Sequence, residues 1–192
     1  ADESGDSPFD EACSRPWLQL QQRFPSHPLP LACFAATVEL RGENDTSHTL
    51  AQQDADALAF SREHLPLIAD RLTAVNRNVI RGLQDVRRHG PFHLVLAGGL
   101  FDYLPNRVAT MVLQHAREHL LVPGGQLVFT NIADTNLYRP WMEHMAEWML
   151  IHRSESDVRQ LALEAGYADS AVTTMRERTG LTIVANCRSF RS

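Results

Sequence analysis

The spacing of apolar residues along the chain predicts an alternation of strands and helices. Continuous apolar runs, of which residues 92–97 are the clearest, are typical of strands that a sheet buries on both faces. Segments with apolar residues three or four positions apart, such as residues 105–121, predict amphipathic helices. Near the C-terminus polar and apolar residues alternate, which predicts an antiparallel hairpin. We therefore expect an α/β fold with a mostly parallel sheet, flanking helices and a C-terminal antiparallel hairpin.

The predicted elements occupy most of the chain. Strands are predicted at residues 31–36, 48–53, 72–75, 92–97, 126–132, 171–175 and 181–187. Helices are predicted at residues 14–24, after Asp54, and at residues 79–88, 105–121, 139–151 and 156–164. Residues 37–40 are ambiguous. Residues 1–13 are acidic and small, so we expect a flexible tail there and a single domain over residues 14–192.

The composition narrows the class of protein. The 192 residues are 44% hydrophobic and 21% charged, with a formal net charge of −5, as in an ordinary globular domain. Lysine and arginine form no continuous stripe, so we expect no nucleic-acid partner. Three widely spaced cysteines, Cys13, Cys33 and Cys187, argue for a reducing compartment rather than a disulfide framework. No signal peptide is visible and no apolar run is long enough to span a membrane, so the expected location is the cytoplasm.

One stretch, from Phe92 to Ile132, resembles a known family. A strand leads into Gly98 and Gly99, a helix follows, and a Pro-Gly-Gly turn at residues 123–125 precedes the next strand. This order resembles the second half of class I S-adenosylmethionine-dependent methyltransferases. The finer match is to PhcB-like methyltransferases, which make hydroxy-fatty-acid methyl esters, and it rests on residues 98–104 (GGLFDYL), Asn131, residues 141–143 (WME) and residues 147–148 (EW). The resemblance runs from about residue 30 to the C-terminus and is strongest over residues 92–153.

The resemblance implies a Rossmann-like fold that binds S-adenosylmethionine at the carboxyl edge of the sheet. The family's glycine-rich turn after the first strand matches Cys33, Phe34 and Ala35, with Phe34 in a glycine's place. We expect the Phe34 ring either to collide with the amino-acid part of the cofactor or to force the turn into another shape. After the fourth strand, the implied cofactor-binding residues are Ala97, Gly98 and Gly99.

The second and third strands supply the remaining implied cofactor contacts. The acid that accepts hydrogen bonds from the ribose corresponds to Gln52, which can still hydrogen-bond to a diol but without the charge-assisted part. Asp54 lies two residues further on and substitutes for it if the strand end shifts. Asn78 and Val79 match the family's adenine-side motif. Two interpretations stay open: the altered turn still binds S-adenosylmethionine, or the fold persists and cofactor binding is lost.

Candidates for binding the methyl acceptor lie just beyond the fourth and fifth strands. They are Phe101, Tyr103, Asn131, Trp141, His144 and Trp148. Each has a structural alternative: the first two as core aromatics, and Asn131 as a turn or capping residue. Trp141 and Trp148 share a helical face with Met145 and Met149, and this spacing favours core packing over a substrate wall.

The sequence assigns no catalytic residue. A carboxylate acceptor is already ionised and needs no general base, whereas a hydroxyl would need one, for which His144 and Tyr103 are the first candidates and His152 a further one. His115 and His119 match a zinc-binding pattern, but no third ligand is evident and we expect no metal.

Two classes of function follow. The first is O-methylation of a small-molecule carboxylate or hydroxyl by an S-adenosylmethionine-dependent enzyme. The second is an inactive methyltransferase-like protein that serves as a binding or scaffolding partner. A fragment of a larger enzyme is a third interpretation, and a homodimer or a larger protein partner is left open.

Overall fold

The computed structural model describes residues 37–41, 48–52, 55–64, 70, 72–77 and 79–190, and its strands form one seven-stranded sheet. The strands are β1 Thr37–Arg41, β2 His48–Gln52, β3 Leu72–Asn76, β4 Phe92–Gly98, β5 Leu121–Ile132, β6 Val172–Arg176 and β7 Thr182–Arg188. Their order across the sheet is β3-β2-β1-β4-β5-β7-β6. The α-helices are α1 Ala55–His64, α2 Val79–Arg87, α3 Asn106–His115, α4 Arg139–His144 and α5 Glu155–Glu164. The predicted α/β architecture is confirmed.

The sheet is mixed because two of its strands run against the others. The parallel pairs are β2–β3 and β4–β5, and β7 is antiparallel to both β5 and β6, which confirms the predicted C-terminal hairpin. The second reversed strand, β1, is antiparallel to both β2 and β4 and was not predicted. Residues 42–47 alone join β1 to β2, and a parallel crossover needs a dozen or more residues, so this length permits only the antiparallel arrangement.

The core is concentrated around β4 and β5, which have apolar side chains on both faces. On one face Phe92, Val95 and Phe129 pack with buried residues of α3 and α5, among them Leu113 and Val158. The opposite face carries a smaller cluster of Leu96, Val128 and Val184. Burial on both faces is what the continuous apolar runs at these strands predicted.

The predicted Pro-Gly-Gly turn lies within β5 and does not precede it. Gly124 has a φ of +79°, a conformation that favours glycine, and the β4–β5 register shifts between Phe92 and Leu94. A Cβ on Gly125 would lie 3.0 Å from the carbonyl oxygens of Phe92 and Val122. Both glycines are therefore required for the irregularity that lets β5 start early beside β4.

The predicted helix over residues 139–151 is wrong in its second half. Helix α4 ends at His144, and Glu147 adopts a φ of +49°. The chain then returns to the sheet, where the Ile151 N–H donates to the Asp102 carbonyl at 2.7 Å. These tertiary hydrogen bonds replace the helical ones.

None of the helices in the described residues combines the length and the apolar character that a membrane span requires.

Candidate functional site

The carboxyl edge of β4 forms a glycine turn that β5 holds in place. Gly98 ends β4, and Gly99 adopts a φ of +69°, which few residues other than glycine tolerate. The Gly99 N–H donates to the Thr130 Oγ1 at 2.9 Å. A short 3₁₀-helix, Leu100–Tyr103, follows directly. The turn is therefore built from backbone with little side-chain bulk, as close approach of a ligand requires.

Several of the predicted cofactor-binding residues meet at this edge. Gln52 ends β2 opposite Asn76 of β3, and Ala97, Gly98 and Gly99 end β4. Val79 begins α2 three residues after Asn76. The other predicted residues of this group, Cys33, Phe34, Ala35, Asp54 and Asn78, lie outside the described residues.

The reversed strand changes which end of β1 reaches the site. Thr37, the first residue of β1, lies opposite Gly98, whereas Arg41, the last, lies opposite Leu94. The chain therefore enters β1 at the carboxyl edge of the sheet and leaves it at the amino edge. In the family that the sequence resembles, the glycine-rich turn instead follows the first strand.

A buried arginine organises the chain beneath the glycine turn. The Arg153 side chain is 2% exposed and donates to the carbonyl oxygens of Phe101 at 2.7 Å and Leu104 at 2.5 Å. It also donates to the Oδ1 atoms of Asn131 at 2.5 Å and Asn106 at 2.8 Å. Its backbone pairs with Ala133 just beyond β5. The guanidinium thus joins the 3₁₀-helix, the start of α3 and the end of β5.

Asn131 and Phe101, both predicted to contact the acceptor, are interior residues. Asn131 is fully buried, and its Nδ2 donates to the carbonyl oxygens of Ile132 and Ile151 at 3.0 and 2.9 Å. Phe101 is also fully buried, with its ring centroid 4.3 Å from that of Phe129. Their side chains are packed in the interior beneath the carboxyl edge and have no exposed surface for a ligand to contact.

Asp102 is an acidic side chain within this buried region. Its carboxylate accepts the Ile132 N–H at 2.6 Å and so ties the 3₁₀-helix to the end of β5. Burial raises the pKa of Asp102 to about 7, against the opposing effects of this hydrogen bond and of the Arg153 charge. The group therefore titrates near neutral pH, where a carboxyl can exchange protons with a ligand.

Two of the predicted acceptor-binding aromatics, Tyr103 and Trp148, contact each other at the rim. The Trp148 Nε1 donates to the Tyr103 hydroxyl at 2.9 Å, and the Tyr103 side chain is exposed. Trp141 is 60% exposed, and His144 is exposed at the end of α4. The structure thus brings Tyr103 and Trp148 into contact beside the turn that follows β4.

The segment after β5 carries exposed apolar side chains, which we name the apolar surface: Leu137, Tyr138, Trp141, Met145 and Met149. The sequence favoured core packing for the Trp and Met residues of this stretch, and that prediction is wrong for three of them. Because α4 is short, Met142 alone of the methionines in its vicinity is buried, while Met145 is 75% exposed. Several large exposed apolar side chains in one segment of the chain are typical of a binding surface.

The imidazole of His152, near the carboxyl edge of the sheet, has one nitrogen without a hydrogen-bond partner among the described residues. Its Nδ1 lies 3.1 Å from the Leu150 carbonyl, which can only accept, so Nδ1 carries the proton. The Nε2 atom then holds a lone pair and has no partner in the described structure. Burial lowers the pKa of His152, which keeps the ring neutral.

The two histidines of the zinc-like pattern contact each other. The His115 and His119 ring centroids are 4.8 Å apart, and burial together with the His119 charge lowers the pKa of His115. The described residues bring no three potential ligands together around a metal position.

No role was predicted from the sequence for Asp102, Arg153 or Asn106. The available signal was an acid inside an apolar run (LFDYL) and an arginine one residue beyond the end of another (MLIHR). Charged residues in such runs are either buried with partners or functional.

Comparisons with solved structures identify the fold. A possible exported protein from Bordetella parapertussis superposes with a TM-score of 0.54 at 17% identity, covering 73% of this chain and 52% of that chain. The S-adenosylmethionine-dependent methyltransferase SibL superposes with a TM-score of 0.53 at 17% identity, covering 74% of this chain and 43% of that one. Magnesium protoporphyrin IX methyltransferase from Synechocystis PCC 6803 gives 0.52 at 10% identity, covering 73% and 63%.

The chain therefore has the Rossmann-like fold of class I methyltransferases. It spans about half of the length of the first two similar structures and 63% of the third. No protein-family model matches the sequence, and no curated protein does.

Proposed function

We propose that this chain is an S-adenosylmethionine-dependent methyltransferase that transfers a methyl group to a small apolar acid or alcohol. The observation that carries the proposal is the turn at Gly98 and Gly99. It lies at the carboxyl edge of a central strand, in a fold that the similar methyltransferases share. Open α/β sheets bind their ligands at this edge.

The described residues fit a nucleoside-type cofactor at this position. Ala97, Gly98 and Gly99 offer backbone with at most a methyl side chain, so the cofactor can lie against the strand end without collision. Thr130 fixes the turn through the Gly99 N–H. Gln52 ends β2 at the same edge, and glutamine is a residue type that can hydrogen-bond to the hydroxyls of a ribose. We assign Cys33, Phe34, Ala35, Asp54, Asn78 and Val79 to the same site by resemblance.

The apolar surface indicates which kind of methyl acceptor the protein binds. Trp141, Met145 and Met149 are exposed in the same segment of the chain as Trp148, whose Nε1 donates to Tyr103. We propose that they offer a polarisable wall for an alkyl or aromatic chain. His144 lies exposed at the end of α4 and is placed to attract a carboxylate when protonated. This surface suits a fatty acid, in keeping with the resemblance to PhcB-like enzymes.

Bound S-adenosylmethionine supplies an activated methyl group on a positively charged sulfur. The protein has to hold the acceptor oxygen in line with it and exclude water. A carboxylate acceptor arrives ionised and requires no base. For a hydroxyl acceptor, His144 and Tyr103 are the first candidate bases from the sequence. The Nε2 of His152 and the carboxyl of Asp102 are further proton-accepting groups near this edge.

A second candidate function is a binding protein with the methyltransferase fold but without cofactor binding. The reversed β1 favours it, since β1 ends at the amino edge of the sheet. The connection to β2 therefore begins and ends at that edge, opposite the glycine turn. In this alternative the apolar surface is the contact surface for a protein partner.

Calorimetric titration of the whole chain with S-adenosylmethionine and S-adenosylhomocysteine tests the proposal. We expect dissociation constants on the order of micromolar to tens of micromolar for both ligands. Gly98→Trp should weaken binding at least about tenfold, because the added ring occupies the position of the cofactor.

Met175→Trp is the matched control, since Met175 is exposed on β6 at the far side of the sheet. Circular dichroism should show that both variants are folded. Absence of heat and of thermal stabilisation at millimolar ligand, with a folded protein, would overturn the proposal and favour the binding protein.

A further inference from the structure

The opposite edge of the sheet contains a small recess that the proposed methyl transfer does not use. It has a volume of about 100 Å³ and is lined by Arg117, Arg188, Ser189, Phe190 and residues 166–168. Arg117 belongs to the π-helical turn Ala116–Leu120 that precedes β5, and Arg188 is the last residue of β7. The recess therefore lies at the amino ends of β4 and β5, away from the glycine turn.

Both guanidinium groups that line the recess retain N–H groups that can donate to a ligand. Arg117 donates through Nε to the Ala165 carbonyl at 3.0 Å and through Nη2 to Glu118 at 2.9 Å. Arg188 donates through Nε to the Gly124 carbonyl at 3.3 Å, and its guanidinium lies 5.8 Å from the centroid of the Phe190 ring. Among the described residues no group accepts from the Nη nitrogens of Arg188, so the planar donor fork is available to a ligand.

The hydroxyl of Ser189 is the second, independent sign of a ligand. Ser189 is fully buried, and its Oγ has no hydrogen-bond partner in the described structure. Its backbone is committed, because its N–H donates to the Gly125 carbonyl at 2.8 Å and its carbonyl accepts the Gly124 N–H at 2.6 Å. Buried hydroxyls without partners are rare in folded proteins, and an oxygen atom of a ligand inside the recess would complete this one.

The charge and size of the recess select the ligand. Two arginines line it, and the neighbouring Glu118 carboxylate is held by Arg117. A water molecule occupies about 30 Å³ in the liquid, so the recess has room for a few waters or one tetrahedral anion.

We propose that this recess binds a small oxyanion, either free phosphate or the phosphate of a monoester. Arg117 and Arg188 supply charge-assisted hydrogen bonds, and Ser189 donates its hydroxyl proton to the same anion. The site is independent of the proposed methyl transfer, so failure of either leaves the other unaffected.

The test is thermal unfolding and calorimetry of the whole chain with inorganic phosphate, at an ionic strength held constant with sodium chloride. We expect phosphate to stabilise the wild-type chain and chloride not to do so. Ser189→Ala and Arg188→Gln should each weaken phosphate binding at least about tenfold. Arg178→Gln, in the exposed turn between β6 and β7, is the matched control and should bind as wild type does.

Ser189→Ala also gives a readout that separates binding from folding. Without phosphate this variant should melt at or above the wild-type temperature, because it removes an unpaired buried hydroxyl. With saturating phosphate the order should reverse. Glycerol 3-phosphate in place of phosphate distinguishes a monoester from the free anion. Equal stabilisation by phosphate and chloride, or equal phosphate binding by all four proteins, would overturn the proposal.

Discussion

The two edges of the sheet use arginine in opposite ways. At the carboxyl edge Arg153 is buried and its donors are taken up by the carbonyls and amide oxygens of three neighbouring segments. At the amino edge Arg188 is exposed and makes one long hydrogen bond to a carbonyl. A buried cation with full hydrogen bonding holds a fold together, whereas an exposed and partly used one is available to a ligand.

The largest effect should come from removing the buried cation. Arg153→Met leaves the side chains of Asn131 and Asn106 and two carbonyl oxygens without their donor. We expect the free energy of unfolding to fall by about 3–5 kcal/mol. The matched variant Arg188→Met should change it by no more than about 0.5 kcal/mol. Urea denaturation measures both, and similar losses in the two variants would remove the distinction between the edges.

A smaller effect should separate the two methionines of the segment after β5. Met142 is buried with Ile132 and Leu150, whereas Met145 is 75% exposed. Met142→Ala should cost about 2–4 kcal/mol of unfolding free energy, because it opens a cavity. Met145→Ala should cost less than about 0.5 kcal/mol. If Met145→Ala proves equally costly, then Met145 is packed in solution and the apolar surface is not available to an acceptor.

The third effect is a pH dependence that belongs to Asp102. Its pKa is raised to about 7 in the folded protein from the ordinary 3.8, so the folded chain binds a proton more strongly than the unfolded one. This contribution to stability is complete below about pH 4 and is lost as the pH rises toward about 7. The slope is at most about 1.4 kcal/mol per pH unit.

Asp102→Asn isolates that dependence, since the amide keeps an acceptor for the Ile132 N–H and does not ionise. The unfolding free energy of the variant, relative to wild type, should increase between about pH 5 and pH 7. A constant difference across this range would show that Asp102 titrates as an exposed carboxyl does.

The sequence predicted those features of the fold that local pattern determines. The apolar runs located β4 and β5, and the alternation of residues located the hairpin of β6 and β7. The direction of β1 depends instead on how few residues join it to β2, and the early end of α4 depends on tertiary hydrogen bonds such as that from Ile151 to Asp102. Neither has a signature in residue periodicity.

The candidate site was predictable in outline for the same reason. Gly98 and Gly99 follow a recognisable strand, so their place at the carboxyl edge could be predicted. The roles of Asn131 and Arg153 come from contacts between residues 22 positions apart, which no single-sequence pattern reports. The recess at Ser189 likewise joins segments that are distant along the chain.

We expect the cofactor to bind at the carboxyl edge, beside Gly98 and Gly99, and not at the recess beside Ser189. Backbone amide NMR with added S-adenosylhomocysteine distinguishes the two places. The resonances of Gly98, Gly99 and Ile132 should shift while those of Gly166 and Ser189 do not, and phosphate should produce the reverse pattern. Shifts at Gly166 and Ser189 with S-adenosylhomocysteine, or no shift at the glycine turn, would contradict this expectation.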